Sequence, residues 1–228
     1  MKTILLMLMT TALITDALSQ YGGVIGSENR KWGISVKAGP AFPEGDFAKL
    51  FNTGVTGFVE VPYNIATGVS IYAGVGLSHF KADNSKLGNE LAQDGVTLTT
   101  NIDAPYWVLP VLIGINVSYR YAHIWPYFTF SGGVYFQKLE TSGSYTSNGV
   151  TTTVAPTTQN WSQGAYAVGL GTFIPFGTEG WAFDLNAKFN SVLDNEGKVI
   201  ITPPSGDNVT TRAIRYVSVL AGLSYTFK

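Results

Sequence analysis

Cysteine is missing from all 228 residues of the chain. Its absence excludes disulfides, thiolate metal sites and a lipid-modified amino-terminal cysteine. Charge is scarce too. Asp, Glu, Lys and Arg make up 13% of residues, about half the share in a typical soluble domain. The formal net charge of −1 offers no broad electrostatic attraction, so nucleic acid is not expected as a partner. There are two histidines, His79 and His123, and the strand pattern below sets them at opposite ends, too far apart to share a metal ion. No metal or other cofactor is expected. Nor does any stretch approach about 18 uninterrupted apolar residues, so no transmembrane helix is expected.

Glycine and aromatic residues are plentiful, with 26 glycines and 13% Phe, Trp and Tyr, a composition that suits β-strands. The first residues, Met1 to Thr3, carry one lysine and lead into the apolar run Ile4 to Ile14, with small residues at Ala17 and Ser19. A charged start, a short apolar segment and a small-x-small end describe a secretory signal. The expected division is a signal peptide over 1–19, cleaved after Ser19, and one domain over 20–228.

Period-two alternation then recurs along the chain, which is the strand signal. Eight segments carry it: Trp32–Ala41, Gly54–Tyr63, Gly68–Phe80, Tyr106–Val117, Trp125–Lys138, Gly164–Phe176, Trp181–Val192 and Val217–Phe227. The seventh is the sharpest. Trp181, Phe183, Leu185, Ala187 and Phe189 face one way, and Asp184, Asn186, Lys188 and Asn190 the other. Polar stretches 81–103, 140–162 and 193–211 read as long loops, as does the segment around Pro43 to Asp46. Connections therefore alternate long and short. An even strand number with short periplasmic turns and long outer loops is the asymmetry of outer-membrane barrels. The expected fold is all-β: an eight-stranded antiparallel up-and-down transmembrane β-barrel, placed in the bacterial outer membrane.

Charge placement separates this from a soluble barrel. Asp184, Asn186, Lys188 and Asn190 share one face, as do Lys37 and Glu60 on the first two strands. Unpaired charges in a dry core are very costly, whereas a membrane barrel is polar within and apolar toward lipid. These six residues are therefore expected to form a polar lumen network that fills and pairs across a narrow barrel. The opposite faces carry almost no charge, and on a soluble protein they would make an apolar belt far beyond the usual few hundred Å². Trp32, Tyr63, Trp125, Trp181, Tyr225 and Phe227, with Phe176, are expected as a periplasmic aromatic girdle. Trp107, Phe136, Tyr166 and Tyr216 are expected near the outer rim.

The runs Trp-Val-Leu-Pro-Val-Leu-Ile-Gly at 107–114, Trp-Pro-Tyr-Phe-Thr-Phe-Ser-Gly-Gly-Val at 125–134 and the ending Ala-Gly-Leu-Ser-Tyr-Thr-Phe resemble small outer-membrane barrels of the OmpA/OmpX type. They also resemble the broader porin-like barrel-domain family. The resemblance spans Trp32 to Lys228 and rests on diffuse strand patterns, not on a catalytic signature. It implies insertion by the barrel-assembly machinery, contact with outer-membrane lipid and lipopolysaccharide, and a monomer. Family members usually end on an aromatic residue, and here Lys228 follows Phe227.

The function expected is non-enzymatic: envelope structure or surface interaction through the long loops, where Tyr145 and Trp161 are candidates for contact with a surface partner or glycan. A narrow pore, or a conduit for small or hydrophobic solutes past Pro110 and Leu112, comes second. Third is a lipid A-modifying enzyme using His79 with a hydroxyl and an acid such as Glu90 or Asp94. Neighbouring Ser78 would point to the opposite face from His79.

Overall fold

The computed structural model describes residues 32–91, 98–121, 123–147, 149–177, 180–193, 198–201, 209–211 and 214–227. The expected signal peptide, 1–19, lies outside them, as does Lys228.

Eight antiparallel strands close on themselves. They are β1 (Gly33–Pro43), β2 (Gly54–Ala66), β3 (Val69–Lys81), β5 (Pro105–Ser118), β6 (Trp125–Ser147), β7 (Val150–Phe176), β8 (Trp181–Val192) and β11 (Arg215–Thr226). Each pairs with its neighbour in sequence order, and β1 closes the ring against β11 from Gly33↔Thr226 to Pro43↔Tyr216. Closure matters because an open strand edge has no hydrogen-bonding partner in hydrocarbon.

Short connections follow β2, β5 and β7, and they share one end of the barrel with Gly33 and Thr226. The other end carries the long connections, which is the outer side in barrels of this kind. Through the middle of these strands the side chains alternate between outward and inward positions. On β8, Ala182, Asp184, Asn186, Lys188 and Asn190 are buried while Phe183 and Leu185 are exposed.

Three expected loops contain more structure than their sequences announce. The connection after β1 forms a 3₁₀ turn, Gly45–Lys49. The 81–103 stretch contains the helix α1 (Asn84–Leu91) and the strand β4 (Leu98–Asp103). Asp83 starts that helix by accepting hydrogen bonds from the backbone N–H groups of Ser85 and Lys86 at 2.9 and 3.3 Å. The 193–211 stretch contains a small hairpin of β9 (Lys198–Ile201) and β10 (Val209–Thr211).

The largest difference lies in 140–162. There β6 and β7 continue past the barrel as one long hairpin, and β4 pairs with the far side of β6 from Leu98↔Ser147 to Asp103↔Ser142. The register slips between Thr141 and Gly143, so β7 bulges at Ala155 and Pro156. Proline suits a bulge because it has no ladder N–H to lose. Gly143 has φ +135, and a Cβ there would sit 2.2 Å from the Asn101 carbonyl oxygen. Only glycine lets β4 come that close.

Candidate functional site

Interior and exterior are each built from one parity of the strands. In the lower interior, Lys37 of β1 lies 2.7 Å from Glu60 of β2 and 3.0 Å from Asp184 of β8. Lys188 reaches the other oxygen of Glu60 at 2.5 Å. Two lysines and two carboxylates thus form one continuous, charge-balanced chain across the lumen. Its remaining lone pairs are taken up in turn. Ser35 and Tyr127 donate to the two oxygens of Asp184 at 3.0 and 2.6 Å, and the Asn186 amide donates to the Tyr127 hydroxyl at 2.8 Å. Lys188 also lies over the rings of Phe58 and Tyr72, at 5.3 and 5.2 Å.

Asn190 sits higher on β8. It accepts from the Tyr135 hydroxyl at 3.0 Å and donates to Ser218 at 3.1 Å. All six residues expected in the lumen are therefore buried inside the barrel. Lys37, Glu60, Asp184 and Lys188 meet directly, Asn186 joins them through Tyr127, and Asn190 belongs to an adjacent group. Glycines make room for these long side chains. A Cβ at Gly171 would lie 2.5 Å from the Tyr127 ring, and one at Gly222 would meet the Val36 carbonyl oxygen at 1.9 Å as well as Cγ of Lys37 at 2.8 Å. The charge pattern does not single out Tyr127 or its partner glycine. Inward parity on β6 for Tyr127, and on β7 for Gly171, is the signal available for finding them.

Toward the outer end the interior turns apolar. Phe47 and Phe51, from the connection after β1, pack on each other at 4.6 Å; Phe47 meets Phe80 and Tyr106 edge-on at 5.0 and 5.5 Å, and Phe51 lies 5.4 Å from Tyr106. Leu87 of α1, Ile102 of β4, Leu139 and Ile214 complete the cluster, all buried. The Lys86 ammonium ties α1 to the 3₁₀ turn by donating to the carbonyls of Ala48 and Phe51, both at 3.0 Å. The mouth is closed by a packed apolar plug. Pro110 and Leu112 are part of the filled interior, and Leu112 belongs to this same cluster.

Tyr216, expected at the outer rim, is instead fully buried inside. Its ring packs on Phe80 at 5.3 Å and its hydroxyl lies 3.4 Å from that of Ser78. Parity decides this: Arg215 and Val217 take the outward positions. Tyr145 and Trp161 are likewise turned inward. Tyr145 is buried, and Trp161 packs toward Tyr106 at 5.8 Å.

The exterior is apolar. Exposed Ile34, Val36, Val59, Val75, Leu109, Val111, Ile113, Phe128, Phe130, Leu170, Phe183, Leu185 and Leu223 encircle the barrel. On β5 this belt runs from Trp107 to Ile115, close to the roughly 9–11 residues that a tilted strand needs to cross a bilayer. At the short-turn end Trp32 packs on Tyr63 at 4.6 Å, Trp181 on Tyr225 at 4.7 Å, and Tyr225 on Phe227 at 5.1 Å. The Arg120 guanidinium lies over the Trp125 ring at 5.0 Å. Interfacial aromatics with a cation on their polar side form the girdle geometry of membrane barrels.

Of the residues considered for catalysis, His79 and Ser78 lie on opposite sides of the barrel wall. His79 faces outward against Trp107, with ring centroids 4.1 Å apart, while Ser78 is buried inside, bonded to Thr56 at 2.7 Å. The Glu90 side chain and Asp94 fall outside the described residues. His123 is exposed at the short-turn end. Among the described residues no cluster of three metal-ligating side chains occurs.

No family model matches the chain, and no curated protein matches it by sequence. Among solved structures it is similar to a major outer membrane protein from Thermus thermophilus. That pairing has a TM-score of 0.51 and 14% identity, and it covers 86% of this chain and 99% of the other. It is also similar to Neisserial surface protein A from Neisseria, with a TM-score of 0.49, 11% identity, and coverage of 86% and 97%. At such identities the likeness speaks to the fold alone, and the first pairing carries it. The chain has the eight-stranded fold of the small outer-membrane barrels of the OmpA/OmpX type. On that fold, an apolar belt around a charged interior places it in a bacterial outer membrane.

Proposed function

We propose that this protein is a closed, non-enzymatic outer-membrane barrel that acts as a scaffold, carrying the β6–β7 hairpin and its β4 partner as a surface-interaction platform. The observation that carries this reading is the double closure of the interior. A solute would have to break the ion-pair chain of Lys37, Glu60, Asp184 and Lys188. It would also have to pass the aromatic plug around Phe47, Phe51, Phe80 and Tyr106. Separating buried paired charges costs several kcal/mol, so neither a pore nor a conduit is favoured. Against catalysis stands the separation of His79 from Ser78 across the barrel wall.

Among the described residues the longest projection on the outer side is the hairpin, whose exposed surface between Val150 and Ser162 is uncharged and rich in threonine. Surface recognition concentrates on such projections from a rigid scaffold. Lipopolysaccharide, outer-membrane lipid and the assembly machinery are the partners this reading requires, with the barrel as a monomer.

The test has two arms. Purified barrel in planar bilayers should show no stable conductance steps; reproducible channels would overturn closure. Cells carrying a barrel in which 141–157 is replaced by an Asn-Gly turn should keep a heat-modifiable barrel but lose adherence to surfaces. Unchanged adherence would remove the hairpin from the account.

A further inference from the structure

Outside the lumen, one concavity interrupts the belt near its outer edge. Three successive strand pairings set His79, Trp107, Lys138 and Asn160 in a single outward row: His79↔Trp107, Trp107↔Lys138 and Lys138↔Asn160. The next outward row toward the membrane contains Leu109, Phe136 and Ser162. Between these rows lies an open groove of about 440 Å³, lined by Trp107, Leu109, Phe136, Lys138, Asn160 and Ser162, with Gln137 and Trp161 at its floor.

Side-chain size creates the groove. On β5 and β6 the outward residues are large, whereas on β7 they are Asn160, Ser162 and then Gly164. A Cβ at Gly164 would meet nothing closer than a Leu193 methyl at 3.3 Å. The large side chains therefore stand beside a low ledge. The Trp107 ring is held in place by the His79 ring, so this wall is fixed before anything binds.

Two features name the occupant. The wall of Trp107, Leu109 and Phe136 continues the lipid-facing belt, and in a bilayer only an acyl chain meets it. The opposite rim is polar and carries a cation. Lys138 is about half exposed and ion-paired with Glu140 two residues farther out, and Lys81 is exposed at the end of β3. An exposed pair such as Lys138–Glu140 contributes little and can be exchanged for another anion at small cost. Asn160 and Ser162 add hydrogen-bonding groups suited to hydroxyls. The groove lies at the long-connection end, hence in the outer leaflet.

We propose that this groove is a lipid site for the phosphorylated glycolipid of the outer leaflet, the lipid A portion of lipopolysaccharide. One acyl chain lies between Trp107, Leu109 and Phe136 and the β7 ledge. Lys138 takes a phosphate, and Asn160 and Ser162 take sugar hydroxyls. The inference rests on the membrane reading of the outer face and gives that face one preferred lipid at one place.

Native mass spectrometry of the detergent-solubilised barrel tests it, with added lipid A, dephosphorylated lipid A or phosphatidylethanolamine. The wild-type barrel should hold one lipid A at least tenfold more tightly than the phospholipid. Ser162→Phe, which fills the ledge from outside, should abolish that preference. Lys138→Gln should reduce it severalfold for lipid A and leave binding of the dephosphorylated form unchanged. Val75→Phe, elsewhere on the belt, serves as the control and should change nothing. Heat-modifiable gel mobility establishes that every variant is folded. Equal retention of phospholipid, or undiminished lipid A binding by a folded Ser162→Phe barrel, would overturn the site. A barrel that inserts into vesicles yet shows no lipid preference would sink the groove and leave the barrel itself standing.

Discussion

Near the short turns the inward residues are Ser35, Lys37, Glu60, Tyr127, Asp184 and Lys188; near the long connections they are Phe47, Phe51, Phe80, Tyr106, Leu87 and Leu139. The same strands thus enclose an ion-pair network toward one end and an aromatic core toward the other, and the two meet where Phe58 and Leu112 of the apolar cluster lie level with Lys37 and Glu60. The exterior changes in the opposite sense. Ile113 and Phe130 face outward in the first region, and Thr151 and Thr153 in the second. The solvent outside accounts for the difference. Where lipid surrounds the strands, apolar side chains are satisfied outward and the polar ones are left to pair within. Toward the long connections water takes the polar side chains of the hairpin, and the interior there is held by the hydrophobic effect as in a soluble protein.

The contrast can be broken most severely inside the lower half. Glu60→Ala leaves Lys37 and Lys188 buried without their shared carboxylate, and loss of one member of such a network costs about 3–5 kcal/mol. Urea unfolding in lipid vesicles should show the drop, with failure to regain heat-modifiable mobility at the extreme. A loss below about 1 kcal/mol would mean that the network is not what fills the lumen.

Phe51→Ala attacks the upper half. Truncating a buried aromatic costs about 3–5 kcal/mol, but here the damage should stay local. Limited proteolysis should open the connections around Phe51 and Leu87 while the barrel below keeps its gel mobility. Cooperative loss of both would show one unit instead of two.

Arginine placed on the two exteriors sharpens the comparison further. Ile113→Arg at mid-belt should cost roughly 2–4 kcal/mol, measured by the same urea unfolding. Thr153→Arg on the hairpin should stay within about 0.5 kcal/mol of wild type. Similar costs at both positions would contradict a lipid-facing and a water-facing exterior.

What can be read in the sequence follows the same boundary. Along Trp181–Val192 lipid demands Phe183, Leu185 and Phe189 on every second position, so strand, face and lumen residues are all visible in the letters. Lys37, Glu60, Asp184 and Lys188 stand out because charge is rare in such strands. The hairpin above the membrane has no such demand. Its outward positions are Thr, Asn and Ser, and its inward anchors are as sparse as Tyr145 and Trp161, so the alternation fades and a strand reads as a loop. Helix α1 is short and held by Asp83 and Lys86, contacts that no periodicity announces. Tyr216 misleads because its place near a strand end suggests the rim, whereas parity turns it inward. The aromatic plug is not legible at all, since Phe47 and Phe51 come from a connection with no repeating pattern.

The absence of cysteine allows a direct measurement of the boundary. Single cysteines placed along the outward face of β6, at 128, 130, 132, 134, 136, 138 and 140, can be spin-labelled in lipid vesicles and probed with oxygen and a water-soluble nickel chelate. Oxygen access should dominate from 128 to 136 and peak near 132, and chelate access should take over at 138 and 140. A label at 132 that meets the chelate as freely as one at 140 would contradict the membrane reading of this barrel.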